Sequence, residues 1–385
     1  MLVALGFGVV APALPVFARQ FGVGEAAAGA VVSAFAFLRL AFALVSGRLV
    51  DRFGERVILG GGVALVAVSS ALAGLAQSYL QLLVLRGAGG IGSAMFTVSS
   101  FGLLLRVAPG TLRGRATGLY QGGFILGGIT GPAFGGPLTQ WSLRAPFFVY
   151  AGTLAAAGAV AFRFLTRPAP EAGRNGPEPR TSGTSLATAL RHRGYLVALA
   201  ANLGTGWVAL GLRSSLIPLF VVEGLHRGAG VTGAGFALSS ACEAALLLPG
   251  GWLTDRAGRR PTLVLGLALG TASAVLLTVC HGPGVFLAAM ALLGGGFALV
   301  GPASGAIVGD AVPAGGGTAV AAYQMAGDVG SITGPVVAGA LAETVSFGTA
   351  FGVGAGVLAV CTALATTVPP RRPEGVKPST ESPGR

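Results

Sequence analysis

"SGRLVDRFGER" occupies residues 46–56, and "GGWLTDRAGRR" returns at 250–260, placing Asp51 against Asp255 at an offset of 204. A second pair keeps nearly the same interval. "LYQGGFILGGITGPAFGG" (119–136) is echoed by "AYQMAGDVGSITGPVVAG" (322–339), with Pro132 against Pro335 at an offset of 203. Two motifs in the same order at almost one spacing make the chain a tandem of two related halves. The polar, Pro/Gly-rich stretch 167–193 reads as a linker between an N-terminal half (1–166) and a C-terminal half (194–368). Residues 369–385 read as a disordered tail.

Composition says what each half is made of. Of the 385 residues, 53% are hydrophobic and only 10% charged, with mean hydropathy +0.77, whereas soluble domains carry about 25% charged residues. Uncharged runs such as 57–76 and 261–280 reach the roughly 20 residues that a bilayer-crossing helix needs. Apolar runs between charged or Pro/Gly-rich breaks give six spans near 1–18, 26–47, 57–76, 80–105, 116–138 and 145–165. Six more lie near 194–222, 230–253, 261–280, 284–308, 316–340 and 346–368. The expected fold is all-α: a polytopic membrane protein of twelve transmembrane helices in two pseudo-symmetric six-helix bundles. Parallel repeats of six spans are an architecture of alternating-access transporters.

The net charge of +12 is a topology signal rather than a nucleic-acid footprint. With a cytoplasmic N-terminus, 19 of the 25 Lys and Arg fall in cytoplasmic loops and tail, against Arg19, Arg144 and Arg227 on the other face. That asymmetry places both termini in the cytoplasm of a multi-pass plasma (inner) membrane protein. The first span is short, with no basic segment ahead of it, which points to a true start upstream of Met1 rather than to a signal peptide. Cys242, Cys280 and Cys361 sit in apolar spans without metal-ligand spacing, and the three histidines lie at loops or span ends. No cofactor or metal is expected. With no Ser/His/Asp set and no phosphate-binding loop, neither an enzyme nor an ATP-driven pump is indicated.

Four segments carry a family resemblance. GRLVDRFGERVIL (47–59) resembles the motif between the second and third spans of the major facilitator superfamily, and the likeness extends over the whole chain. "LGFGVVAPALP" (5–15), "RGAGGIGSA" (86–94) and "GGITGPAFGG" (127–136) are similar to signatures of its twelve-span drug:proton antiporter branch. The resemblance implies a proton-coupled secondary transporter exporting small amphipathic compounds by antiport. Proton-coupled metabolite uptake on the same fold is the alternative, and a non-transporting receptor is a more distant one. It implies coupling for Arg86 and places the fifth span at the seam between halves, against the eighth. One departure stands out: residues 1–18 contain no acid, which weakens the case for cationic substrates.

Physical roles follow for the motifs. In the loop motif Gly47 and Gly54 bracket a tight turn, while Asp51 can cap a helix end and pair with Arg52, Arg56 or Arg106. Asp255, Arg256, Gly258 and Arg259 repeat the arrangement, so the two clusters can latch one state of a rocking motion. Gly127, Gly131 and Gly135 recur every four residues and share one helix face, with Gly136 beside them. Such a face allows close packing in lipid, and Pro132 bends the helix. Gly330, Gly334 and Pro335 form the second copy, and the pair of smooth helices is expected to let the halves slide.

Ionisable residues within a span cost about 2.5–3.5 kcal/mol on insertion scales and mark a pathway. Arg39, Arg86, Arg213, Glu243 and Asp328 are the five here. Arg39 and Glu243 each precede their motif aspartate by twelve residues. In this superfamily the second span neighbours the eleventh, so Arg39 is expected to approach Asp328. Taking a carboxylate out of water favours its neutral form, and an arginine beside it favours the charged one. A motion that changes their distance therefore changes proton affinity. Asp328 is the first candidate for the proton carrier and Glu243 the second. For a substrate cavity, residues with an apolar body and a polar tip are favoured: Tyr120 with Gln121, Tyr323 with Gln324, Asn202, Trp207 and Arg213, with Phe124, Phe236 and Phe297 as aromatic walls. The expected partners are a small-molecule substrate, protons and the bilayer, with a functional monomer and no nucleic acid.

Overall fold

A computed structural model describes residues 2–10, 13–165, 185–312 and 316–368. Most of the expected linker (167–184) and the whole expected tail (369–385) lie outside the described residues, as does Pro12.

The described residues form helices at all twelve expected span positions. The first is made of Leu2–Val10 and Ala13–Arg19, followed by Glu25–Phe53, Glu55–Gly74, Tyr79–Val107, Arg113–Trp141 and Ala145–Leu165. The seventh runs from Arg193 to Gly224, and the rest are Ala229–Arg256, Arg259–Thr278, Pro283–Ala311, Gly317–Thr344 and Phe347–Thr366. Helix is the natural state for such runs, because lipid offers no partner to an unbonded backbone group. Nine of the described helices are individually long and apolar enough to cross a bilayer. The first, fifth and sixth spans complete the twelve.

The halves repeat each other's packing. In the N-terminal bundle the third span lies against the fourth and sixth, the second against the fourth, and the first against the fifth. In the C-terminal bundle the ninth lies against the tenth and twelfth, the eighth against the tenth, and the seventh against the eleventh. The seam is built where the second span meets the eleventh, the fifth meets the eighth and tenth, and the fourth meets the tenth and eleventh. Val98, Phe101 and Leu105 of the fourth span belong to the same buried cluster as the C-terminal core.

Several expectations change in detail. The loop motif is mostly helical: Gly54, at φ +85°, is the single residue between the second and third spans, and Ala257 with Gly258, the latter at φ +106°, joins the eighth to the ninth. Both glycine backbones lie in the left-handed region that favours this residue. The last expected linker residues form a short helix, Leu186–Leu190, capped by Ser185. The seventh span is interrupted by π-helical turns over Trp207–Leu216 and Phe220–Gly224, and Arg213 lies within the first of them.

The glycine faces also find different partners from those expected. A Cβ on Gly127, Gly131 or Gly135 would fall 2.5 Å from Ala4, Gly8 or Val9 respectively. These glycines therefore face the first span of their own half, not the eighth. Gly330 and Gly334 likewise face Leu203, Trp207 and Gly211 of the seventh span. Within each half the two helices come close enough for backbone to touch backbone. The fifth span meets the eighth through another ladder one face away, Gly114, Gly118 and Gly122, against Gly251 and Leu247. Pro132 and Gly136 lie on the fifth-span helix but outside the residues whose packing is described.

Candidate functional site

The end of the molecule that carries the loop motifs is held shut by two matched contacts across the seam. Asp51 accepts hydrogen bonds from the backbone N–H groups of Gly317 (2.5 Å) and Thr318 (3.1 Å) and from the Thr318 hydroxyl (2.6 Å). Asp255 accepts from the N–H groups of Gly114 (2.7 Å) and Arg115 (3.1 Å). Each aspartate thus caps the first turn of a span in the opposite half, where unpaired N–H groups and the helix dipole favour negative charge. Glycine one turn earlier makes this possible. A Cβ on Gly47 would sit 2.7 Å from the Gly317 carbonyl oxygen, and one on Gly251 would sit 2.8 Å from that of Gly114. Gly47 is accordingly a helix-crossing residue rather than a turn bracket.

The arginines of the motif do not serve Asp51. Arg106 pairs instead with Glu55 at 2.6 Å, while Arg52 lies over Phe53 and Arg256 over Trp252. Arg56 is exposed. Arg259 binds Asp310 at 2.5 Å and donates to the Gly110 carbonyl at 2.8 Å. Arg113 also binds Asp310, at 3.0 Å, so Asp310 joins the tenth span to the fifth.

Above these latches lies an aromatic core. The Phe101 ring stacks on Tyr323 (centroids 5.6 Å, 14°) and meets Tyr120 at the same centroid distance in a tilted contact (51°). Tyr120 shares a hydrogen bond with Ser100 (3.0 Å), and Tyr323 one with Ser304 (2.9 Å). The position equivalent to Phe101 in the second half is Gly305, and a Cβ there would lie 3.2 Å from the Phe101 ring. One half supplies the plug and the other the space for it.

Two ion pairs sit deeper in the spans. Arg39 Nη2 lies 3.1 Å from Asp328 Oδ1, joining the second span to the eleventh near the middle of both. Arg213 Nη1 lies 3.4 Å from Glu243 Oε2, and its Nη2 donates to Ser240 at 2.9 Å. Phe236 and Phe297 flank the Arg213 guanidinium at 5.9 and 6.0 Å. Arg86 is 3% exposed and lies over the Phe35 ring, 4.6 Å from its centroid. Beside Arg39 is a pocket of about 210 Å³ with Phe35, Ser93, Thr97, Phe124 and Tyr150 in its wall. A larger cavity of about 500 Å³ borders it, walled by Tyr120, Phe124 and Leu247.

The expected cavity residues therefore divide. Tyr120 and Phe124 line cavities, while Phe236 and Phe297 flank Arg213, which pairs with Glu243. Tyr323 is buried in the seam, and Gln324 lines neither cavity. Asn202 donates to the Tyr323 carbonyl at 2.7 Å, fastening the seventh span to the eleventh. Trp207 is buried beside Gly354 and Leu212, and Gln121 rests its amide on Gly301. Sequence reasoning passed over Phe101, Gly114, Tyr150, Gly251, Asp310 and Gly317. The offset of 203–204 could have found Gly114 and Gly317 as one pair and Gly251 as the copy of Gly47.

A family model for the Major Facilitator Superfamily matches residues 1–241 and 208–384. The chain belongs to the Major Facilitator Superfamily. Within it, the chain is 26% identical over 353 residues to Multidrug resistance protein 1 of Bacillus subtilis, covering 88% of this chain and 86% of that one. It is 31% identical to the quinolone resistance protein NorA of Staphylococcus aureus over 153 residues, 40% of this chain and 39% of that one. The matched part thus spans about two-fifths of NorA's length. Among solved structures, the human organic anion transporter MFSD10 superposes with a TM-score of 0.76 at 19% identity, covering 94% of this chain and 96% of that one. FucP in its outward conformation superposes at 0.72 with 15% identity, covering 96% and 98%. At those identities the likeness establishes the fold alone.

Proposed function

We propose that this member of the superfamily is a proton-coupled secondary transporter that exports small amphipathic compounds by antiport, working as a monomer with the motif end and both termini in the cytoplasm. The observation that carries the reading is the Arg39–Asp328 pair, a charge pair drawn from opposite halves at 3.1 Å beside a pocket. Protonating Asp328 removes the negative charge that holds Arg39, and the two spans are then free to part. Glu243, tied to Arg213 within one half, is the second candidate for the proton. The Asp51, Asp255 and Asp310 contacts hold the cytoplasmic side closed, and rocking breaks them as the pocket changes sides. The glycine-faced pairs, first span on fifth and seventh on eleventh, move as rigid units. Membrane potential contributes about 2.3 kcal/mol per charge per 100 mV, enough for a substrate gradient of roughly fifty-fold. The multidrug and quinolone resistance relatives support the direction and substrate class.

A second reading, proton-coupled uptake, is favoured by one feature: the pocket presents Arg39 and no carboxylate of its own half. One assay separates the two. Everted vesicles with an imposed proton gradient and a pH-reporting dye receive a chemically varied compound panel, in wild type and Asp328→Asn. Compound-triggered proton efflux that disappears in the variant is the expected result. Efflux that survives moves the proton to Glu243. A folded, inserted protein that moves no protons with any compound overturns antiport.

A further inference from the structure

Among its described residues, the membrane interior of the N-terminal half holds two arginines, Arg39 about a third exposed and Arg86 buried, and no carboxylate. Arg39 has Asp328 from the other half, but its Nε is buried without a hydrogen-bond partner. Arg86 is 3% exposed, its Nε is also without a partner, and the contact it makes is the face of Phe35. Tyr150 lies in the wall of the pocket of about 210 Å³ that also contains Arg39. Leaving a guanidinium buried without an anion is strongly unfavourable, and Arg is suited to a two-pronged grip on a carboxylate. Phe35 and Phe124 give the same pocket an aromatic wall, and Ser93 adds a hydroxyl.

We propose that this pocket is an anion subsite that takes the carboxylate of a small aromatic acid. Arg39 and the Tyr150 hydroxyl are its donors, Phe35 and Phe124 cover the ring, and Arg86 supplies the standing positive charge behind Phe35. The assignment deepens the transport reading by naming a substrate class and rests on it. Asp328 and the bound acid compete for Arg39, so the site is partly blocked while the halves are paired and opens when Asp328 lets go.

Binding rather than flux tests it, using purified full-length protein in lipid nanodiscs and three molecules of one size: phenylacetate, phenylacetamide and 2-phenylethylammonium. Phenylacetate is expected to bind at least about tenfold more tightly than the other two, the ratio that one charge-assisted contact sustains. Arg39→Gln is expected to bring phenylacetate within about twofold of the amide, and Arg86→Gln to weaken phenylacetate binding by a smaller factor. Asp328→Asn is expected to tighten phenylacetate binding, a gain that a damaged fold does not produce. Equal binding of the amide or the ammonium ion overturns the assignment. So does a preference that survives Arg39→Gln, an unchanged or weaker affinity in Asp328→Asn, or no binding of phenylacetate at millimolar concentration. Phenylacetate binding without flux of any compound would leave the subsite standing and remove the transport reading, and flux of neutral compounds without phenylacetate binding would do the reverse.

Discussion

Glu55 and Arg259 stand at equivalent positions of the two halves with opposite charges, and each is answered by the residue 51 places further on: Arg106 at 2.6 Å and Asp310 at 2.5 Å. The duplicated bundles keep the geometry of this pair and exchange its sign. The N-terminal copy stays within its half. The C-terminal copy is extended across the seam by Arg113, so it does double duty as a latch.

Exchanging the signs is therefore expected to be tolerated where removing one partner is not. Glu55 is almost fully buried while Arg106 is about half exposed, so Arg106→Ala strands a buried carboxylate. It should lower thermal stability by about 1–3 kcal/mol. The double change Glu55→Arg with Arg106→Asp, which copies the other half, should recover most of that loss in a detergent melting experiment.

Asp51 and Asp255 each place a carboxylate on the first N–H groups of a span in the opposite half. Asp51→Asn or Asp255→Asn should weaken closure by about 1–2 kcal/mol each, roughly a tenfold shift in population per step. Spin labels at Arg56 and Ala257, in a chain without its three native cysteines, would register this as a longer-distance population. Identical distance distributions in both variants and wild type would show that the caps do not hold the halves together.

Phe101 needs the space that Gly305 leaves. Gly305→Val should therefore open the motif end or destabilise the protein by about 1–3 kcal/mol of overpacking. Phe101→Ala combined with Thr117→Ser should relieve it, because the Thr117 methyl would lie 2.5 Å from the added Cβ and the Phe101 ring 3.2 Å. Lack of rescue would show that neither side chain sets the space at Gly305.

The two glycine ladders of the fifth span should respond differently to substitution. A side chain at Gly131 meets the backbone of Gly8, whereas one at Gly122 meets the movable end of Leu247 at 3.0 Å. Gly131→Leu should abolish monodisperse folded protein on size exclusion. Gly122→Ala should leave folding intact and alter transport rate alone.

Much of this was legible in the chain. Repetition at 203–204 residues determined two halves, uncharged runs determined the spans, and charges too costly to bury without purpose marked Arg39, Asp328, Arg213 and Glu243. Arg39 with Asp328 could be paired because family resemblance placed the second span beside the eleventh. Tertiary structure alone decided which face of each helix meets which neighbour. A helix in lipid is apolar all round, so no amphipathic stripe records its rotation. The ladder of Gly127, Gly131 and Gly135 therefore announces a close approach without saying to what, and it was the first span rather than the eighth. Asp51 likewise carries no sign in its local sequence that its partner is the amide of Gly317, 266 residues away. That bond exists because docking one rigid half on the other brings a helix start within reach of a carboxylate, and docking is a property of two surfaces rather than of either stretch of chain.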